Sequence, residues 1–561
     1  MYTLASKIKV NNTTVSHMSF DNCHFSFELK DDGKFIKGIL KAKADIEMET
    51  FAVTKPMEYS NDTLFFGNGY QSWSTSMEYK RGDKTHDIIS AARKLGGFAE
   101  FAAGVFADYT FKSYVHYGKP NFFRAYTYTY LRKKGDYNIT IYGSRSERKG
   151  FTIFEADMSE NTFTVRKDVE GLKLTAGQEY EMFDIAIIEN EYEKAFDEYF
   201  FDFMGIKEPK IKHLAGYTSW YNYFSKITED ICLRDLDGLE RAKECVDIFQ
   251  LDDGFQTATG DWLSVDKKKF PHGLKSLAEK IHAKGYLAGI WLAPFCAQIT
   301  SNVAKQHPDW LIKDEKTGKK ILRHIGWGGA YALDIYNEQA REYIKHFFDV
   351  ILNDWGFDMV KLDFLFTQCL SPRYGKTRGE IMCDGVDLLR EACGDKLILG
   401  CGVPLGACMG IFDACRVTCD VNKVFKGNLL NFAKINNEVP SAQGAINNTI
   451  FRRHLDGRAF CNDPDVLFLR KENLTFTDEQ KYLLGKINAV CGNVLFVSDN
   501  AGDYDYKSLT LMKEFFTAKD YKVTAAEYIT SSIIKLDYTE DGEAKSMTFD
   551  INTGKTWNVV Q

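Results

Sequence analysis

Between Phe25 and Leu174 the chain alternates apolar and polar residues in short runs: FSFELKD, GILKAKADIEME, RAYTYTYLR, YNITIYGS and FTVRKDVEGLKL. A period of two sends side chains to alternate faces, one buried and one wet, and Gly, Asn and Asp between the runs supply turns. Residues 1–204 are therefore expected to form an N-terminal β-sandwich of antiparallel strands. The stretch His86–Phe106, rich in Ala, Gly and Phe, breaks the alternation and reads as a loop or short helix.

Past Gly205 the period changes. Leu274, Leu277, Ala278 and Ile281 recur at helical spacing up to Gly285, and a second amphipathic helix is expected over Asn337–Trp355, with Asn337 as N-cap and Gly356 as its stop. Around these lie eight runs that read as strands: HLAGYTSW, VDIFQLDD, YLAGIWLAP, DMVKLDFLF, KLILGCG, CRVTCDV, RAFCNDP and NVLFVSDN. Alternating strands and helices imply a parallel sheet. Over residues 205–505 they fit a (β/α)8 TIM barrel somewhat larger than the usual ~250 residues. A doubly wound sheet would call for a Gly-rich phosphate loop after its first strand, and GYTSWYNYF is not one. From 506 to 561 the alternation returns in AAEYITSSIIKLDYT and SMTFDINTGKTWNVV, a small C-terminal antiparallel β domain. The fold class is multidomain, β plus α/β.

The fourth run, DMVKLDFLF, carries charges where a strand buried on both faces should have few. Lys361 and Asp363 are two apart, so they share a face, and buried charges of this kind are expected to pair. The other strand ends are loaded too: Trp220, Asp252 with Asp253, Trp291, Cys401, Arg416 with Asp420, Asn462 with Asp463 and Asp465, and Asp499 with Asn500. Any one Asp can be a helix cap, and either Trp can fill a core. Barrel enzymes, however, do their chemistry at the C-terminal strand ends. No His stands at metal-ligand spacing, and no GxSxG, P-loop or dinucleotide signature occurs, so neither a metal nor a cofactor is expected. Paired carboxylates with aromatic walls are the equipment of a glycosidase.

Composition narrows this further. The 561 residues carry a net charge of −7, which gives no nucleic-acid footprint. Thirteen scattered cysteines do not form a disulfide framework and suit a reducing compartment. The opening MYTLASKIKV lacks an apolar h-region, and no run of 18 apolar residues occurs, so a soluble, cytoplasmic protein is expected, without nucleic-acid or membrane partners. Aromatic residues reach 14%, a weak hint of sugar binding that large β cores would also explain.

With GYTSWYNYFSKITED, FQLDDGFQ, GDW, GIWLAPF, VKLDF, CGVPLG, RVTCDV, RRHLDGRAFCNDPD and SDNAGD in order along the barrel, the sequence resembles glycoside hydrolase family 36, the bacterial α-galactosidases or melibiases. GNGYQSWS in the sandwich is similar to the family's first domain. The resemblance implies a retaining exo-α-galactosidase acting on terminal α-linked galactose. Asp363 takes the nucleophile's position, and Asp420, four after Arg416, that of the general acid/base, with the carboxyls ~5–5.5 Å apart as retention requires. Asp252 and Asp253 match the pair that holds O4 and O6, and Lys361 the lysine that bonds sugar hydroxyls. Arg416, Trp220, Trp291, Cys401, Gly402 and the sandwich residue Trp73 match pocket positions. Thr418-Cys419 stands where many members have a small residue and proline. That departure borders O2 and keeps an α-N-acetylgalactosaminidase or an α-galactosaminidase as alternatives. A galactosyl transferase, an α-glucosidase of a sister family and a non-catalytic sugar-binding protein are further readings. A homo-oligomer is compatible with a family of this kind.

Overall fold

The computed structural model describes residues 7–9, 17–85, 118–425 and 440–557. The His86–Phe106 stretch lies outside them. The N-terminal strands form an eight-stranded and a five-stranded sheet. Two runs that read as single strands are each two. GILKAKADIEME divides between Phe35–Ala42 and Ile46–Pro56, and RAYTYTYLR between Phe122–Tyr126 and Tyr128–Lys133. In both cases the halves pair in different sheets. At the second break Thr127 adopts a left-handed backbone (φ 69°), which ends one ladder and redirects the chain into the other. Period-two patterning cannot register such a switch, because both halves keep the alternation. Phe25, Phe27, Phe51, Phe65, Phe123, Phe154, Phe163 and Phe183 fill one core. Each contributes roughly 1.5–3 kcal/mol on burial. Much of the aromatic content is therefore sandwich packing.

The central region is one parallel sheet. Its strands are β1 (Leu214–Thr218), β2 (Ile248–Leu251), β3 (Leu287–Leu292), β4 (Met359–Leu362), β5 (Leu397–Gly400), β6 (Ala414–Arg416), β7 (Cys461–Asp463) and β8 (Val494–Val497). Each of the eight runs supplies one. β7 pairs with β6, and after a gap of two residues Val466–Leu467 pairs with β8. The sheet's two ends are thus joined across Pro464-Asp465, and the sheet curls round on itself. Proline cannot donate to a ladder, so it suits this break. The helix Gly273–Ala283 buries Leu274, Leu277, Ala278 and Ile281 as its spacing requires. The helix Glu338–Asp349 is capped by Asn337, whose side chain accepts from Ala340 N at 3.0 Å. A π-helical turn, Val350–Asp354, extends it toward Gly356 (φ 83°).

A four-stranded antiparallel sheet, spanning Tyr521 to Trp557, follows the helix Tyr506–Phe516. Among the described residues no helix is long and apolar enough to cross a membrane. All 13 cysteines are free thiols, and only Cys23 is exposed.

A loop of the sandwich docks on the rim of the parallel sheet. Ser72 N donates to Val403 O at 3.0 Å, and the buried Arg452 reaches Ser72 O at 2.7 Å, Gln71 O at 3.0 Å and Val417 O at 2.8 Å. Asn448 adds a bond to Ser74 O at 2.9 Å. These contacts hold Trp73 over the ends of the strands.

Candidate active site

β4 ends at Leu362, so Asp363 sits just beyond the strand rather than within it. Phe364 then takes a left-handed backbone (φ 56°, ψ 31°), which costs a bulky residue about 1–3 kcal/mol. The turn brings Phe364 N–H back to Asp363 Oδ1 at 2.7 Å. Trp291 Nε1–H donates to Asp363 Oδ2 at 3.1 Å. Trp291 is therefore more than core filler, since β3 and β4 are in register with Trp291 opposite Lys361. Gly402 (φ 56°) closes the other side. A Cβ there would lie 3.0 Å from Phe364 N, 3.0 Å from Trp73 and 3.2 Å from Asp363 Oδ1. Only glycine satisfies both the dihedral and the space.

The expected pairing of Lys361 with Asp363 is corrected. Lys361 Nζ bonds Asp252 Oδ2 at 2.8 Å, both side chains buried, and reaches Asp363 only through its field. The strand ends one residue before Asp363, so the two side chains are not held to a shared strand face. Burial works most strongly against the charge on Lys361, but Asp252, joined by Cys401 and Asp363, keeps the amine protonated above the ordinary lysine range. Burial raises the Asp363 carboxyl above its usual range. Lys361 and the Trp291 donor pull it down, and the charge of Asp420 pushes it up again.

Asp253 lies beside this pair, with Gln256 Nε2 at 2.6 Å and Trp327 Nε1 at 3.1 Å as donors. Burial pushes its carboxyl up as well. Trp327 is not among the residues that the sequence pattern singles out. It stands in IGWGGA with φ 56°, near Phe364 (ring centroids 5.0 Å) and Trp291 (6.2 Å). A single indole flanked by glycines was the available signal. Trp73 meets Phe364 and Phe366 edge-on at 5.5 and 5.7 Å. Trp220 is half-buried at the start of the helix Trp220–Tyr223, packed on Phe224. No hydrogen bond among the described residues ties it to Asp363.

On β6, two strands along the sheet from β4, Arg416 holds three carboxylates: Asp420 at 2.9 Å, Asp463 at 3.3 Å and Asp465 at 2.8 Å. Asp420 alone is open, its side chain 42% exposed against 1% and 0% for the other two. Cys401 is buried beside Asp363, and burial pushes its thiol well up, so it lines the wall as an apolar group. Thr418 and Cys419 are also buried. The Thr418 hydroxyl is engaged by Cys419 O at 2.8 Å and Pro464 O at 3.3 Å, and the Cys419 thiol is pushed up to about 12 by burial. Asp499 belongs to the fold: it accepts from Leu469 N, Arg470 N and Tyr504 Oη at 2.7–2.9 Å.

Residues 220–382 match the melibiase family model. The stretch begins at Trp220 and carries Asp252, Asp253, Trp291, Lys361 and Asp363, so the resemblance to glycoside hydrolase family 36 holds over this part of the site. A galactosaminidase of Flavonifractor plautii, described as acting on A type blood α-D-galactosamine, is 32% identical over 162 residues, 27% of this chain and 15% of that protein. An α-galactosidase of Lactobacillus acidophilus is 32% identical over 133 residues, 22% of this chain and 17% of that protein. The matched stretches thus span less than a fifth of these melibiase relatives. In overall fold the chain is similar to an α-galactosidase from Thermus thermophilus solved with p-nitrophenyl α-D-galactopyranoside. The TM-score is 0.70 at 22% identity, over 94% of this chain and 98% of that one. A family 36 α-galactosidase from Geobacillus stearothermophilus gives 0.59 at 12% identity, over 94% and 75%.

Proposed function

We propose that this protein is a retaining, exo-acting α-galactosidase. Its catalytic (β/α)8 barrel spans residues 205–505, between a sandwich over 1–204 and a C-terminal β domain over 506–561. Asp363 attacks the anomeric carbon and forms a glycosyl-enzyme. Asp420 protonates the departing oxygen, then takes a proton from the water that hydrolyses the intermediate. Asp252, Asp253 and Lys361 bind the O4 and O6 side, where unpaired acceptors would penalise a sugar lacking the axial hydroxyl. Trp220, Trp291 and Trp73 wall the ring, and Cys401 and Gly402 border O2. The observation that carries this reading is the contrast between two carboxyls that sense each other's charge: Asp363 buried and hydrogen-bonded, Asp420 open beside Arg416. Twelve buried free thiols support a cytoplasmic setting.

A second reading, an amino-sugar α-glycosidase, is favoured by one fact: a relative matching at 32% is a galactosaminidase. Aryl α-galactoside, α-N-acetylgalactosaminide and α-galactosaminide assayed side by side separate the two. Dominant galactoside turnover that drops more than about 10³-fold in Asp363→Ala, with Tm held, is the expected result. Dominant turnover of an amino sugar keeps the mechanism and moves the substrate. No turnover of any of the three sinks the enzyme reading.

A further inference from the structure

Arg416 poses a difficulty for any acid at Asp420. A guanidinium 2.9 Å away pairs with the ionised carboxylate, whereas an acid must present its proton to the departing oxygen. What opposes the guanidinium lies behind. Asp465, fully buried, meets Arg416 Nη2 at 2.8 Å with one oxygen. Its other oxygen accepts from Tyr221 Oη–H at 2.5 Å and Val421 N–H at 2.7 Å. Asp465 also has a left-handed backbone (φ 73°), directly after the Pro464 break that joins the sheet's ends.

We propose that Asp465 is a positioning residue which, through Arg416, sets the proton affinity of Asp420 and so keeps the acid charged with its proton. The inference rests on the reading of Asp420 as acid/base. Every neighbouring element bears on Asp465: Arg416 from β6, Asp420 and Cys419 from the segment after it, Asp463 from β7 and Tyr221 from the helix after β1. Asn488, from the helix Asp478–Cys491, bonds the Asp465 carbonyl at 3.2 Å. Burial pushes the Asp465 carboxyl up to about 7. Arg416 and Tyr221 pull it down, while Asp420 and Asp463 push it up. When ionised, Asp465 draws on Arg416 across the 2.8 Å contact and relieves Asp420 of the guanidinium's field.

Asp465→Asn tests this, with kcat/KM followed against pH on a natural α-galactoside and on an aryl galactoside whose leaving group needs no acid. Removing the charge leaves Asp463 as the one buried carboxylate that still shares Arg416 with Asp420. The basic limb on the natural substrate is expected to move down by about one unit, while that on the aryl substrate stays. If the asparagine variant does not fold, Tyr221→Phe removes a donor to the ionised form and should give a smaller shift in the same direction. A basic limb unmoved in whichever variant folds, at whatever loss of Tm, overturns the proposal and leaves Asp465 structural. Asp420→Ala separates this from the reading beneath it. Selective loss on the natural substrate upholds Asp420 as the acid whatever Asp465 does. Equal loss on both substrates removes Asp420 from that role, and the proposal with it.

Discussion

The two ends of the parallel sheet use the same residue for opposite purposes. At the N-terminal end an aspartate stands immediately before three alternate strands: Asp247 before β2, Asp358 before β4 and Asp413 before β6. Each accepts a backbone N–H from the preceding strand, Ala215 at 2.8 Å, Ala288 at 3.0 Å and Ile398 at 2.9 Å. Burial raises the Asp358 carboxyl, but Ala288 N–H, His282 and Lys396 pull harder and hold it below its ordinary range. At the C-terminal end, Asp253 and Asp363 are buried within reach of each other's field, Asp465 is buried beside Asp420 and Asp463, and all three are raised. An aspartate answered by a backbone donor and cations locks strands together. Aspartates buried in company share too few cations and stay poised. Stability sits at one end of such a sheet and chemistry at the other.

Breaking an ion pair at each end should widen the contrast most. Lys361→Met strands the buried Asp252 carboxylate and is expected to cost about 3–5 kcal/mol in denaturant melts, along with most of the activity. Lys396→Met, at the partly exposed pair with Asp358, should cost less than about 1 kcal/mol and leave turnover intact. A similar loss in the two variants would erase the distinction.

A smaller effect isolates one donor. Trp327→Phe keeps a ring near Phe364 but removes the N–H to Asp253. We expect kcat/KM to fall by roughly tenfold, about 1.4 kcal/mol, with Tm nearly unchanged. A drop in Tm without loss of kcat/KM would make Trp327 a packing residue.

The smallest concerns pH. The Asp358 carboxyl is lowered by folding, so its contribution is present above its unfolded value and lost as pH falls through the folded one. Asp358→Asn should cost about 1 kcal/mol at pH 7, and the gap to the parent should close in acid while kcat stays level. Asp363 runs the other way. Because burial raises it, the acid limb of kcat/KM should lie above the range of an ordinary carboxylate. A gap for Asp358→Asn that persists in acid would break the comparison.

Much of this was legible beforehand. Leu274, Leu277, Ala278 and Ile281 predicted their helix because one face is buried along its whole length. Asn337 predicted its cap because that rule is local. The two-sheet split at Thr127 was not legible, since the alternation continues across it. Nor was the true partner of Lys361: Asp252 is 109 residues away, and only the placing of β2 and β4 on either side of β3 brings them to 2.8 Å. Trp327 was hidden for a similar reason, because a glycine-flanked indole has meaning only once its N–H meets Asp253.

The sequence by itself determined the parts: sandwich strands, the strand–helix alternation, the residues at strand ends, and motifs resembling a family of sugar hydrolases. These follow from side-chain period and local backbone preference, which act over a few residues. The tertiary structure alone decided which charges meet, which aspartates are answered and which stay poised, and that a loop from the sandwich hangs Trp73 over the rim. Those outcomes depend on burial and on fields between groups far apart in the chain, and neither exists until the sheet has curled.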